Sequence, residues 1–238
     1  MWFQISMFAC FIFLVLCSII VLCLLEDRRK RDGFKFKQRK PKDIVIVLLG
    51  DELLDNSKSV GNNGDVKSQL QIQNLGPVKS YAKRNATIES LGNQIINYIK
   101  SSSYKPSNSV VISIGAYDIV NALRTNPASD PVNSLFMKYK KLLEDNKHSL
   151  KHQFVILAGI PIIDNPDLKR FASYFQEWNK KLKMYTDKHN YQYLDTVTLL
   201  NDTSDFDIVF VGLNLSASGS LKLVSEIEKM SGHRKKQK

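Results

Sequence analysis

From Asp43 onward, short apolar runs alternate with amphipathic stretches, and the lengths and periods of the runs separate strands from helices. Ile44 to Leu49 is a β-branched run that stops at Gly50. Ser109 to Ile114 and Gln153 to Ala158 repeat the pattern and end at Gly115 and at Gly159-Ile160-Pro161. Runs of this kind without alternation predict strands buried on both faces. Tyr191 to Asp195 predicts a further strand. Ser68 to Asn74 (Ser-Gln-Leu-Gln-Ile-Gln-Asn) alternates strictly, as an edge or half-exposed strand does. Thr87 to Lys100 places Ile88, Leu91, Ile95, Ile96 and Ile99 on one helical face. Val132 to His148, Leu168 to His189 and Ser218 to Met230 also read as helices. Strands alternating with helices predict a parallel sheet covered on both faces, an open α/β fold. Asn56 to Asp65 predicts a surface loop, and no internal repeat is visible.

Met7 to Leu25 breaks this pattern. It is nineteen consecutive apolar residues with Ser18 as the only hydroxyl and no Gly, Pro or charge. At about 1.5 Å per residue such a helix crosses the roughly 30 Å hydrocarbon core of a bilayer. A cleaved signal peptide is the competing reading. Three features oppose it: no basic residue precedes Met7, the run exceeds the usual apolar length of about 7–15, and Leu24-Leu25-Glu26-Asp27 offers no small-residue cleavage site. The chain thus divides into an N-terminal membrane segment (1–25, span 7–25), a basic linker (26–42), one α/β domain (43–230) and a basic tail (231–238).

Charge sharpens this division. The 238-residue chain carries a net +11, but residues 26–42 hold nine Lys/Arg against three acids, and residues 234–238 hold four Lys/Arg. Residues 43–233 are left at +1. The basicity therefore gives no reason to expect nucleic acid as a partner. Lys/Arg directly after a span stay on the cytoplasmic side, or on the matrix side of the inner mitochondrial membrane. This predicts a single-pass protein with its domain on that side, the membrane being endoplasmic reticulum, plasma membrane or mitochondrial inner membrane. The partners expected are the bilayer through Met7 to Leu25, anionic headgroups through the linker, and other proteins. Cys10, Cys17 and Cys23 all lie in the span, so the domain forms no disulfide. Sequons stand at Asn85, Asn201 and Asn214 and weigh less than the charge asymmetry.

In open α/β sheets, ligands sit outside the carboxyl ends of the strands. The segments there, in order, resemble the blocks of the SGNH (GDSL) hydrolase superfamily over about residues 43–230. Gly50-Asp51-Glu52-Leu53 follows the first strand where the family has Gly-Asp-Ser-Leu. Asn85-Ala86-Thr87-Ile88 stands for Gly-Ala-Thr-Ile, and Gly115-Ala116-Tyr117-Asp118 for Gly-x-Asn-Asp. Val211-Gly212-Leu213-Asn214-Leu215-Ser216 stands for Asp-Gly-Leu-His-Leu-Ser. The resemblance implies a flavodoxin-like three-layer αβα sandwich around a parallel sheet of about five strands, preceded here by one transmembrane helix.

The departures from that pattern fall on the chemistry. The resemblance puts the nucleophile at Glu52, the oxyanion donors at Asn85 and Tyr117, the general base at Asn214 and its orienting acid at Val211. Asn214 takes no proton at neutral pH, Val211 orients nothing, and Tyr117 brings a ring to the place of the substrate carbonyl. The expectation is a catalytically inactive, membrane-anchored member of the family that binds or supports partners in an assembly. Its candidate cleft comprises Asp51, Glu52, Asn85, Tyr117, Asp118 and Asn214. The alternatives are an altered esterase working through Glu52 and Asp118, and a sensor of lipid or acyl ligands. The plain reading of Asp51 and Asp118 is loop carboxylates that accept backbone N–H groups. His148, His152, His189 and His233 lie on or beside Lys-rich stretches and read as solvated. Phe171, Tyr174, Phe175 and Trp178 have helical spacing and read as packing on the sheet. No His/Cys spacing suits a metal and no glycine-rich phosphate loop occurs, so no cofactor is expected.

Overall fold

The apolar run that opens the domain forms β1 (Ile46–Gly50), with all five residues buried. A computed structural model of the chain describes residues 45–57, 60, 63–73, 76–206 and 214–231. Met7 to Leu25, the basic linker, Val211, His233 and the basic tail lie outside the described residues. Among the described residues no helix is long and apolar enough to cross a membrane.

In chain order the elements after β1 are α1 (Val66–Ile72), β2 (Val78–Ser80), α2 (Ile88–Ile99), β3 (Ser109–Ser113), α3 (Ala116–Thr125) and α4 (Val132–Asp145). There follow α5 (Lys147–Leu150), β4 (Phe154–Ala158), α6 (Pro166–Lys169), α7 (Ala172–His189), β5 (Gln192–Leu194), α8 (Thr196–Leu199) and α9 (Ala217–Met230). A single 3₁₀ turn, Thr203–Asp205, precedes α9. The five strands make one parallel sheet in the order β2-β1-β3-β4-β5. Helix α9 packs on α1, while α2 and α7 pack on α4. Right-handed crossovers place these two groups on opposite faces of the sheet. Ile46, Leu48, Val110, Ile156 and Leu157 are inaccessible to solvent between them.

The sheet and most helices follow the hydrophobic pattern, and the departures have local causes. Ser68 to Asn74 is not an edge strand: Val66–Ile72 is helical. Asp65 caps it by accepting the Ser68 N–H at 3.0 Å, and Val66 and Leu70 are buried one turn apart. Its seven residues satisfy both periods, and the cap decides between them. Ile96 leaves the buried face of α2 and is 44 % exposed, whereas Gln94 and Tyr98 join it. The stretch from Val132 to His148 breaks at Asn146, whose side chain donates to the Leu142 carbonyl at 2.8 Å. Leu168 to His189 breaks before Ala172. The strand β2 carries no strong pattern in sequence because three residues are too few to show a period, whereas α3, which buries Ala116, Ile119, Val120 and Leu123 at helical spacing, is not among the expected helices.

Candidate functional site

The order of the strands reverses between β1 and β3, and a crevice opens there at the carboxyl ends of the strands. The final residues of the two strands, Gly50 and Ser113, are register partners. Gly50 has φ +125°, and a Cβ on it would lie 1.7 Å from the Ser113 carbonyl oxygen. Only glycine lets the two backbones approach so closely. Gln94 clamps the turn from the helix side. It accepts the Gly50 N–H at 2.5 Å and donates to the Gly50 carbonyl at 3.0 Å.

Asp51 is the first residue beyond β1 and is buried, as is Glu52. The Asp51 carboxylate accepts the Ser113 hydroxyl at 2.8 Å and the Leu53 N–H at 3.3 Å. Burial pushes its pKa well above the usual carboxylate range, and the Glu52 charge adds to the effect. It does accept backbone N–H as a loop carboxylate would, but it does so out of contact with water.

Glu52 lies against a different partner. The turn between β2 and α2 presents three successive N–H groups to the loop after β1. Lys83 donates to the Gly50 carbonyl at 2.9 Å, Arg84 to the Asp55 carboxylate at 3.2 Å and Asn85 to Glu52 Oε2 at 3.1 Å. The three amides thus reach three separate acceptors on this loop, two of them carboxylates. Asn85 adopts φ +56°, the left-handed conformation that the glycine of the family pattern takes without strain and that Asn tolerates best among other residues. The N–H that the resemblance assigns to an oxyanion is therefore already bonded to a carboxylate of the same chain.

Gly115, at φ +112°, starts α3 with its backbone against the Trp178 ring, 2.6 Å from where a Cβ would sit. This approach brings Tyr117 and Asp118 to the first turn of α3. Tyr117 is half-buried. Asp118 accepts the Ile88 N–H at 3.1 Å and so ties α3 to the first residue of α2. Its pKa is raised to about 6 by partial burial, against the lowering effect of that hydrogen bond and of Lys138. A groove of about 580 Å³ opens beside Asp118, between Thr87–Glu89 and the part of α4 from Leu135 to Asp145.

Asn214 enters the site region from the far end of the chain. It is buried, and its side-chain oxygen has no hydrogen-bond partner among the described residues. Asn56 holds the neighbouring segment: its amide donates to Ser220 Oγ at 2.6 Å and to the Leu215 carbonyl at 3.4 Å, and its oxygen accepts the Val66 N–H at 3.0 Å. Asn56 is thus a buried bracket, not a loop residue on the surface. The fold brings together Asp51 with Ser113, Glu52 with Asn85, and Asp118 with Ile88. It leaves the Asn214 side chain without a bond to any of them. Gln94, Ser113 and Asn56 were not among the residues expected from sequence. The one signal for Gln94 is a polar side chain at a position on the apolar face of α2.

The remaining candidates sit elsewhere. His148 and His152 are exposed. His189 is not simply solvated, because it stacks on Tyr185 with ring centres 4.1 Å apart and its Nε2 lies 3.4 Å from Glu144. Phe171, Phe175 and Trp178 are buried and Tyr174 packs at the margin of the core.

The two raised carboxyl groups predict a pH dependence. Folded Asp118 holds its proton up to a pH of about 6, against an ordinary value of 3.8, so the folded state binds more protons in that interval. Its contribution to stability is full below the ordinary value and is lost as pH rises through about 6. Asp118→Asn keeps an acceptor for the Ile88 N–H and removes the titration. The expected result is a flatter curve of unfolding free energy between pH 4 and 6, measured by urea denaturation. An unchanged slope would show that the carboxyl titrates alike in both states.

The family model for GDSL-like lipases and acylhydrolases matches residues 44–227. No curated protein is matched at the level of sequence. Among solved structures, a member of the lipolytic G-D-S-L family from Veillonella parvula superposes with a TM-score of 0.62 at 18 % identity, covering 81 % of this chain and 100 % of the other. A phospholipase A1 from Streptomyces albidoflavus gives 0.61 at 14 % identity, covering 78 % and 98 %. A variant of an acetyl-xylooligosaccharide esterase from Geobacillus stearmophilus also gives 0.61 at 14 % identity, covering 81 % and 95 %. At these identities the likeness is one of fold.

Proposed function

Because the chain belongs to the GDSL-like lipase/acylhydrolase family, we propose that it is a catalytically inactive member of it. In this reading Met7 to Leu25 anchors the chain in a membrane. The domain then stands on the cytoplasmic or matrix side as a binding or structural subunit of a membrane-associated assembly. The observation that carries the inactive reading is the Glu52 carboxylate on the Asn85 N–H. An oxyanion site works by offering uncommitted donors to charge that develops in the transition state, and losing one such donor costs about 2.7–4 kcal/mol. Here the donor is occupied, and the occupant is itself an anion that repels a second one. Asn214 adds to the deficit because an amide accepts no proton at neutral pH.

A second reading has its own support. Asp51 and Asp118 both hold their protons unusually well, chiefly through burial, with the Glu52 charge and to a smaller extent that of Asp118 adding to the effect at Asp51, and carboxyl groups with separated pKa values are what acid–base hydrolysis uses. The solved structures of this fold include a phospholipase and an esterase. The groove beside Asp118 also has room for an acyl ligand without chemistry. One assay separates the inactive reading from the altered hydrolase. Purified residues 43–231 are expected to hydrolyse p-nitrophenyl acetate and butyrate no faster than buffer does. Turnover that disappears in Glu52→Gln would overturn the inactive reading in favour of an altered hydrolase. Anchoring is tested apart from chemistry. The full chain is expected to stay in the membrane pellet after alkaline carbonate extraction, and its release would remove the anchor.

A further inference from the structure

In a parallel α/β sheet, every connection from a helix back to a strand lies at the edge where strands begin, opposite the crevice. Two of these connections, residues 100–108 before β3 and residues 146–153 before β4, are bound to one another. The Tyr104 hydroxyl donates to the Ser149 carbonyl at 2.8 Å, the Phe154 N–H to the Asn108 carbonyl at 3.0 Å, and the Gln153 amide to the Tyr98 hydroxyl at 2.9 Å. Lys100, Lys105, Lys147 and Lys151 stand exposed on this joined surface, with His148 and His152 exposed among them. Neither segment contains an Asp or a Glu.

Of the acids nearest in sequence, Glu144 is engaged elsewhere, while Asp145 is exposed at the margin of the lysine surface. Glu144 accepts from the Tyr185 hydroxyl at 3.3 Å and lies 3.4 Å from His189, and Asp145 lines the groove beside Asp118. The end of α7 carries one acid, Asp187, next to Lys188, and the end of α9 carries Glu226, paired with Lys229 at 3.0 Å, and Glu228. The first described residue of the domain lies at the same edge: the Val45 carbonyl accepts the Ser109 N–H at 3.0 Å. The chain therefore enters the domain beside these lysines, directly after residues 26–42 with their nine Lys/Arg.

From this joined lysine surface at the strand-start edge, beside the point of chain entry, we infer that the edge rests on an anionic lipid bilayer. Lys100, Lys105, Lys147 and Lys151 meet lipid phosphate and carboxylate groups. The inference rests on the anchored reading and adds an orientation to it. Lysine suits the task because its long apolar stem lets the ammonium reach headgroups from a surface that does not insert. The crevice at the opposite edge then faces the aqueous compartment, so what it meets comes from solution and not from the bilayer beneath.

Residues 43–231 hold all the buried hydrophobic residues found among the described residues and cover 98–100 % of two solved chains of this fold, so this piece is the unit tested. It lacks the span, the linker and the tail. The piece is expected to co-sediment with phosphatidylcholine vesicles containing about one third phosphatidylserine, and not with pure phosphatidylcholine vesicles. The binding should weaken as salt is raised. Each lysine at such a surface is worth about fivefold in affinity, so changing all four to glutamine should weaken binding at least about tenfold. Lys180→Gln with Lys183→Gln, on the exposed side of α7, should change it less than about twofold. Equal loss in both variants, absence of vesicle binding, or tighter binding to duplex RNA than to the vesicles would each overturn the inference. Carbonate extraction of the full chain reads the anchor independently. Pellet retention without vesicle binding removes the orientation alone, whereas vesicle binding with carbonate release removes the anchor alone.

Discussion

Gly50→Ala is expected to cost about 4 kcal/mol or more of unfolding free energy, a large part of what a domain of this size has. The added Cβ would fall 1.7 Å from the Ser113 carbonyl oxygen, and φ +125° is strained for any residue with a side chain. The obstacle is backbone of the adjacent central strand, so no rotamer change relieves it. Moving Ser113 aside would also break the 2.9 Å bond from the Asp51 N–H to its carbonyl and the 2.8 Å bond from its hydroxyl to the Asp51 carboxylate. Urea denaturation followed by circular dichroism measures the loss. A cost below about 1 kcal/mol would mean that β1 and β3 part at their last register pair without disturbing the sheet.

Trp178→Ala is expected to cost about 3–5 kcal/mol, the range for removing a buried large aromatic ring. The ring is fully buried, edge-on to Phe136 with centres 5.2 Å apart and 5.5 Å from Tyr139. It also floors the start of α3 at Gly115, so the cavity would open beneath Tyr117 and Asp118. Trp178→Phe should be much milder. It keeps most of the volume and removes an indole N–H that has no partner in the core, a group whose burial costs about 1–3 kcal/mol. Urea denaturation of the two variants should place phenylalanine close to the parent and alanine far below it. Equal losses would assign the role to the indole N–H and not to the ring.

What could be read from the sequence depended on how local the deciding interaction is. The strands β1, β3 and β4 were legible because a run of β-branched and leucine residues between glycines has few other outcomes. Asp51, Glu52, Tyr117 and Asp118 could be located in sequence because they follow the end of β1 or open α3, whereas Asn85 lies in a turn and Asn214 in no element. The chemistry of the candidate site was less legible. That Glu52 occupies the Asn85 N–H depends on two loops whose contact residues are 33 positions apart in sequence. That Asp51 is cut off from water depends on Ser113, 62 positions away. Composition gives no sign of either. Helix α1 was misread for the opposite reason: the alternation from Ser68 to Asn74 is real, but a side-chain cap one turn upstream outweighs it in so short a segment. Val211, the position where the resemblance implies the orienting acid, lies outside the described residues.

The Asn56 bracket ties residues 159 and 164 positions apart, and β1 sits in the interior of the sheet between two strands made after it. These facts fix an order of events during synthesis. At about 5–20 residues per second, β1 leaves the ribosome roughly 3–13 s before β3, its longer neighbour. Leu215 and Ser220 follow Asn56 by roughly 8–33 s. The most apolar segment of the domain is thus the first made, and its β3-side hydrogen-bonding edge stays open until β3 is made, after β2 can already pair on the other side. A nascent chain of this kind calls for shielding at its leading strand, and the closure of its crevice is an event of the finished polypeptide.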